Sequence, residues 1–248
     1  MFLVLSILLF IGTLIGGSIP FWFKKWDPNS IKYLLAFSGS FLLGITLLHL
    51  IPESILHFSS TASILILAGF LLQLIFQRLT HGIEHGHIHV PNAEHHHHVA
   101  FFPLFLGLGI HAFSEGIPLG MPVFDQGIQA SLFGAIMFHK LPEAMLIASV
   151  LLYQKYSKAK TFLLFAFFCL ITPVAALITH YLGASNSSFK EVLNWLLPVI
   201  AGSFLHIATT IFFESGTKKH QMNLKNWVAI FLGIGIALIS TLFSSHQH

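Results

Sequence analysis

Mostly apolar residues run through the chain in eight stretches, at about 2–23, 34–56, 61–79, 100–121, 128–152, 161–182, 192–213 and 226–243. Each is close to the ~20 residues a helix needs to cross the hydrocarbon core of a bilayer. Together they occupy nearly the whole chain. The pattern predicts an all-α fold, a polytopic membrane bundle of eight transmembrane helices forming a single domain over residues 1–248. The first stretch has no basic residues before it and passes through Gly16, Gly17 and Pro20 to Trp22 and Trp26. Tryptophans belong at membrane interfaces, so this stretch is expected to be a retained helix, not a cleaved signal peptide.

Composition points to the same solvent. Asp, Glu, Lys and Arg make up 8% of the chain and apolar residues 55%, whereas globular chains average ~25% charged residues. The mean hydropathy of +0.80 agrees. The net charge is +3, but the twelve Lys and Arg lie in small groups between apolar stretches. No basic face can be assembled from them, so nucleic acid is excluded as a partner. Cys169 is the only cysteine, which rules out disulfides within the chain and thiolate clusters.

Basic residues are retained on the cytoplasmic side of membranes. Connections one, three, five and seven hold Lys24, Lys25, Lys32, Arg78, Lys155, Lys158, Lys160, Lys218, Lys219 and Lys225, whereas two, four and six hold only Lys190. With eight spans, this asymmetry places both termini outside the cytoplasm and the 81–98 connection within it.

The candidate chemistry lies inside the spans. His49 and Glu53, His111 and Glu115, and His139 and Glu143 each stand four residues apart in three different apolar stretches. On a helix each pair shares one face, a turn apart. A carboxylate in hydrocarbon costs several kcal/mol unless paired, hydrated or bound to a cation, and the pattern occurs three times. Segments four and five are joined by the short connection from Pro122 to Gly127. If that turn is centred on Gly127, His111 and Glu143 are each sixteen residues from it and Glu115 and His139 twelve, so His faces Glu twice. Two imidazoles and two carboxylates then fall within about one helical turn, ~5.4 Å, a donor set suited to zinc or iron(II).

Pro52 and Pro142 immediately precede their Glu, Pro118 follows Glu115 by three, and Pro173 lies within segment six. Each removes an intrahelical bond and frees a carbonyl one turn earlier. Broken helices beside carboxylates suggest a hydrated cation route. On segment seven, His206 and Glu214 share roughly one face and could line such a route or serve structure. His57 and His180 read as interfacial. Gly39, Gly44, Gly107, Gly109, Gly233 and Gly235 read as points of close helix contact.

Seventeen histidines are the outlier of the composition, and eight fall within residues 81–98: His81, His85, His87, His89, His95, His96, His97 and His98. Imidazoles at this density bind transition metals with little geometric selectivity. A cytosolic metal buffer or sensor is the functional reading of this segment, a soluble linker the plain one.

These motifs together resemble the ZIP (Zrt/Irt-like) metal transporters over the whole length. The resemblance rests on His49-Leu-Ile-Pro-Glu53-Ser, His111-Ala-Phe-Ser-Glu115-Gly116, His139-Lys-Leu-Pro-Glu143-Ala and Gly202-Ser-Phe-Leu-His206, in the family's order, and on the His-rich connection between segments three and four. It implies transport of a divalent metal toward the cytoplasm, with His111, Glu115, His139 and Glu143 as ligands and His49 and Glu53 lining the route. Members with a second metal site carry Asn after the segment-four His, Asp after the segment-five His and Glu on segment six. Here the first two positions are Ala112 and Lys140, and residues 161–182 contain no acid. Lys140, too deep to snorkel easily, is therefore expected to pair with Glu115 and Glu143 and to substitute for that second ion.

Zinc or another divalent metal enters this reading as transported substrate; no catalytic cofactor and no enzymatic activity are expected. A membrane-embedded metal-dependent hydrolase is the first alternative, weakened by the lack of an H-E-x-x-H pair. A metal sensor without flux is the second. The remaining expectations are a bacterial inner membrane, the bilayer itself as partner, and a homodimer left open.

Overall fold

The computed structural model describes residues 2–22, 28–79, 101–122, 124, 126–154, 156–214 and 223–244. Among these residues there is no strand. The first apolar stretch forms α1 (Phe2–Gly17) and the single-turn α2 (Ile19–Trp22), and the second forms α3 (Pro28–Ile45), a π-helical turn (Thr46–Leu50) and α4 (Ile51–Phe58). One helix follows for each remaining stretch: α5 (Ser60–Leu79), α6 (Phe101–Gly120), α7 (Gln126–Tyr153), α8 (Lys158–Ser185), α9 (Ser187–Glu214) and α10 (Leu224–Ser244). Seven spans are long and apolar enough to cross a membrane. The eighth, on α6, has a shorter apolar stretch, Leu104–Gly120.

Local chemistry starts and stops these helices. Ser157 Oγ accepts the Lys160 N–H at 3.3 Å, Asn186 Oδ1 accepts that of Phe189 at 3.0 Å, and Asn223 Oδ1 accepts that of Asn226 at 2.9 Å. Each satisfies a donor that the first helical turn leaves unpaired. Between α4 and α5 the reversal is made by Ser59 alone, at φ 50°, with its N–H bonded to Ile55 O at 2.8 Å.

The bundle buries its polar side chains among an apolar core and turns an apolar surface outward. Ile7, Leu8 and Ile15 of α1, Ile64 and Leu67 of α5, Leu163 and Phe167 of α8, and Phe231 and Leu232 of α10 are all exposed. Ser38, Thr46, Gln73, Thr172 and the central His, Glu and Lys side chains are buried. Water would not tolerate so much contiguous apolar surface; lipid does.

Two packed groups share the interior. In one, α6 lies along α8 and α1 against α7 and α8, around Leu104, Leu108, Ile147, Phe165 and Phe168. In the other, α3 packs on α9 and α10 and α5 on α9, around Leu42, Ile45, Ile200, Phe204 and Ile211. Contacts of α3 with α7 join the two. Glycines set the tightest approaches, as in other membrane helix pairs. Gly116 and Gly120 of α6 lie on the backbone of Thr172 and Ala176 in α8, and Gly69 of α5 and Gly202 of α9 lie on the backbone of Val199 and Ile66. Any Cβ at these four positions would collide with main chain. Of the glycines expected to serve this way, Gly39, Gly44 and Gly233 do, whereas Gly109 meets only the end of Ile171 and Gly235 faces open space.

Candidate metal centre

The centre is assembled from two adjacent helices. α6 contributes His111 and Glu115, and α7 contributes His139, Lys140 and Glu143, with Pro142 interrupting the α7 hydrogen-bond ladder one residue before Glu143. All five side chains are buried. One donor atom from each of His111, Glu115, His139 and Glu143 lies within 4.8 Å of the others. His111 Nε2 is 3.2 Å from Glu115 Oε1 and 4.0 Å from Glu143 Oε1, while His139 Nε2 is 3.0 Å from Glu115 Oε1. His therefore faces Glu across the hairpin in both directions, the crossed register expected from counting residues out from the turn.

Lys140 occupies the opposite side of the carboxylates. Its Nζ is 2.5 Å from Glu115 Oε2 and also contacts Glu143 Oε2, with the Phe168 ring of α8 5.7 Å away. Both Oε2 atoms turn to the ammonium and both Oε1 atoms turn to the imidazoles. Glu115 Oε1, Glu143 Oε1 and His139 Nε2 are buried without an aligned hydrogen-bond partner. Two imidazoles and two carboxylate oxygens converging on one point are chemically suited to a borderline divalent cation. The formal charge of the cluster is one positive and two negative, so it can accept cationic charge.

The other expected site residues are not in this group. His49 and Glu53 make separate contacts. Pro52 has no N–H and its ring would strike the carbonyl four residues back, and the chain accommodates it with the π-helical turn, where Ile51 N–H bonds Thr46 O five residues earlier. His49 Nε2 lies 3.3 Å from Ser240 Oγ and 3.2 Å from Thr241 Oγ1 of α10, while Glu53 pairs with His57 at 3.0 Å near the end of α4. His57 is thus a hydrogen-bond partner of Glu53 as well as a half-exposed terminal residue. His180 stacks on Phe2 with ring centroids 4.0 Å apart. His206 donates to Gln77 Oε1 at 2.7 Å and stands edge-on to Phe70. Glu214 ends α9, but its side chain lies outside the described residues, as does the whole 81–98 segment with its eight histidines.

Gln73 and Gln77 of α5 escaped the sequence reading. Gln73 Nε2 donates to His111 Nδ1 at 3.4 Å, and Gln73 Oε1 accepts from Ser203 Oγ at 3.0 Å. The signal was available: two amides four residues apart in an apolar stretch must find partners on neighbouring helices.

An apolar-faced helical bundle closed around buried imidazoles and carboxylates defines a class, the polytopic membrane proteins with an ionisable interior. The comparison with known proteins narrows it. Residues 84–241 match the model of the family described as ZIP Zinc transporter, more than half of the chain, and the chain belongs to that family. Zinc transporter ZIP9-A of Xenopus laevis is 24% identical over 300 residues, covering 99% of this chain and 97% of its own length. Zinc transporter ZIP9 of Macaca fascicularis is 32% identical over 162 residues, covering 58% of this chain and 67% of its own. Zinc transporter YKE4 of Saccharomyces cerevisiae is 25% identical over 264 residues, covering 88% and 73%. These relatives are eukaryotic and lend no support to a bacterial membrane in particular.

Proposed function

We propose that this integral membrane protein carries divalent transition-metal ions, zinc foremost, toward the cytoplasm, and that His111, Glu115, His139 and Glu143 hold the ion midway. The observation that carries the reading is the convergence of their four donor atoms within 4.8 Å, fully buried between α6 and α7. Ionisable groups within spans mark ion pathways by default, and Lys140 engages only the Oε2 atoms, leaving both Oε1 atoms facing the imidazoles. The imidazoles and carboxylates replace part of the ion's hydration shell. Relatives named as zinc transporters over nearly their full length support zinc as the substrate.

Three finer points belong to the same reading. Lys140 occupies the place of a second ion, so one metal is carried per chain. His49, Glu53, His206 and Glu214 line the approach and exit. Both termini lie outside the cytoplasm, in what we take to be a bacterial plasma membrane, and the histidines of 81–98 buffer or sense metal on the inner face.

Zinc uptake by purified protein in sealed liposomes tests the function. Accumulation that depends on the protein is expected. A protein that binds zinc but moves none would favour a sensor, and metal-dependent hydrolysis without flux would favour an enzyme.

A further inference from the structure

Gln73 of α5 bonds a ligand of the proposed metal centre, and its placement is built into the packing. Gly69 and Gly202 bring α5 and α9 into backbone contact. Gln73 lies one turn from Gly69 and Ser203 immediately follows Gly202. The amide, 2% exposed, is therefore held between Ser203 Oγ at 3.0 Å and His111 Nδ1 at 3.4 Å.

The chemistry of this chain of bonds is directional. An amide NH2 can only donate, so His111 Nδ1 accepts and the neutral ring carries its proton on Nε2, facing Glu115 Oε1 at 3.2 Å. A metal needs the Nε2 lone pair. The ring must then carry its proton at Nδ1 instead, the Nε2 proton passing to water that accompanies the ion and water returning one at Nδ1, so the ring stays neutral and an acceptor must meet the new Nδ1–H. Histidines that bind metals almost always donate their other N–H to such an acceptor. Gln73 provides it after a half-turn of its terminal amide, which brings Oε1 to His111 and the NH2 to Ser203. The serine hydroxyl donates or accepts equally well, so the bonds to Ser203 and His111 can be made in either state.

We propose that Gln73, held by Ser203, is a positioning residue for His111, orienting the ring and matching its tautomer as metal arrives and leaves. This rests on the reading of His111 as a metal ligand. It assigns a function in the transport route to α5, a helix that contributes no ligand to the centre.

The test is zinc uptake by full-length protein in liposomes, with KM and maximal rate measured separately for Gln73→Met, Gln73→Glu, Ser203→Ala and His111→Ala. Gln73→Met keeps the volume and loses both bonds, and should raise the zinc KM by about 10-fold, the lower end of what loss of such a partner costs. Gln73→Glu can accept from Nδ1–H but cannot donate, so it should hold the metal-binding tautomer, leaving KM near parental while the maximal rate falls. A residue needed only for packing would show the reverse order, with Met benign and Glu damaging both parameters, and that result overturns the proposal. Should the Gln73 variants fail to fold, Ser203→Ala decides: a raised KM supports the proposal, an unchanged KM overturns it. Parental flux by His111→Ala would instead sink the site assignment on which the proposal rests. Loss of flux in His111→Ala with parental KM in Gln73→Met would sink the proposal alone.

Discussion

Replacing Lys140 by methionine isolates what a buried ammonium does beside a metal-binding cluster. Methionine roughly preserves the volume of the aliphatic stem and removes only the charge. In the structure that charge meets Glu115 Oε2 at 2.5 Å and Glu143 Oε2 as well, and the three side chains are 2%, 0% and 3% exposed. Water does not screen the loss. Breaking a buried pair by removing one partner costs about 3–5 kcal/mol, so Lys140→Met should be destabilised by about that much in EDTA. Zinc restores positive charge to the same carboxylates. Saturation at a hundredfold excess over Kd stabilises a protein by about 2.7 kcal/mol, and each tenfold gain in affinity adds about 1.4 kcal/mol. The variant should therefore gain more from zinc than the parent and recover much of the deficit. Thermal unfolding of detergent-purified protein across a zinc titration measures both, with residues 81–98 deleted from parent and variant so that the loop histidines do not contribute. Equal stability in EDTA, or an equal response to zinc, would refute the charge argument. Two intramembrane metals per chain in the parent, or an unchanged stoichiometry after Lys140→Asp with Ala112→Asn, would refute the idea that the lysine stands in for an ion.

His111→Ala and Glu143→Ala should each abolish most zinc flux while the protein still elutes as a folded species; parental rates in both would reject the central site. Glu53→Ala, whose partner His57 is half exposed, should slow flux more mildly. A cysteine introduced as Asn92→Cys should resist impermeant thiol reagents applied outside intact cells, against a background of one buried native thiol, Cys169; labelling from outside would overturn the proposed topology. Deleting residues 81–98 should leave flux intact and alter tolerance of excess metal, read from growth at high zinc. Gly202→Leu should separate α5 from α9, because its side chain would meet the backbone of Ile66 and Phe70; the expected loss of folded protein is checked by size-exclusion chromatography.

Much of this molecule could be read along the chain. The eight stretches became helices at nearly the expected bounds, because the requirement that a spanning segment bury its own backbone bonds acts on each stretch separately. Residue counting from Gly127 placed His111 against Glu143 and Glu115 against His139, since a short connection leaves an antiparallel pair little freedom of register. Lys140 beside two acids followed from the cost of leaving it alone.

What counting could not reach depended on contacts between distant helices or on departures from ideal geometry. His49 and Glu53 look like a third copy of the motif, yet His49 meets Ser240 and Thr241 of α10 while Glu53 meets His57. Spacing along one helix does not say which residues of other helices a side chain meets. Gln73 carries the same lesson across space. Its partners His111 and Ser203 are 38 and 130 residues away, and the meeting of Gly69 and Gly202 with opposing backbones brings Ser203 within a hydrogen bond. Helix formation and membrane burial are governed by each segment's own composition. The partner of a buried polar group is chosen by how closely two helices can approach, and that is a property of their packed surfaces together.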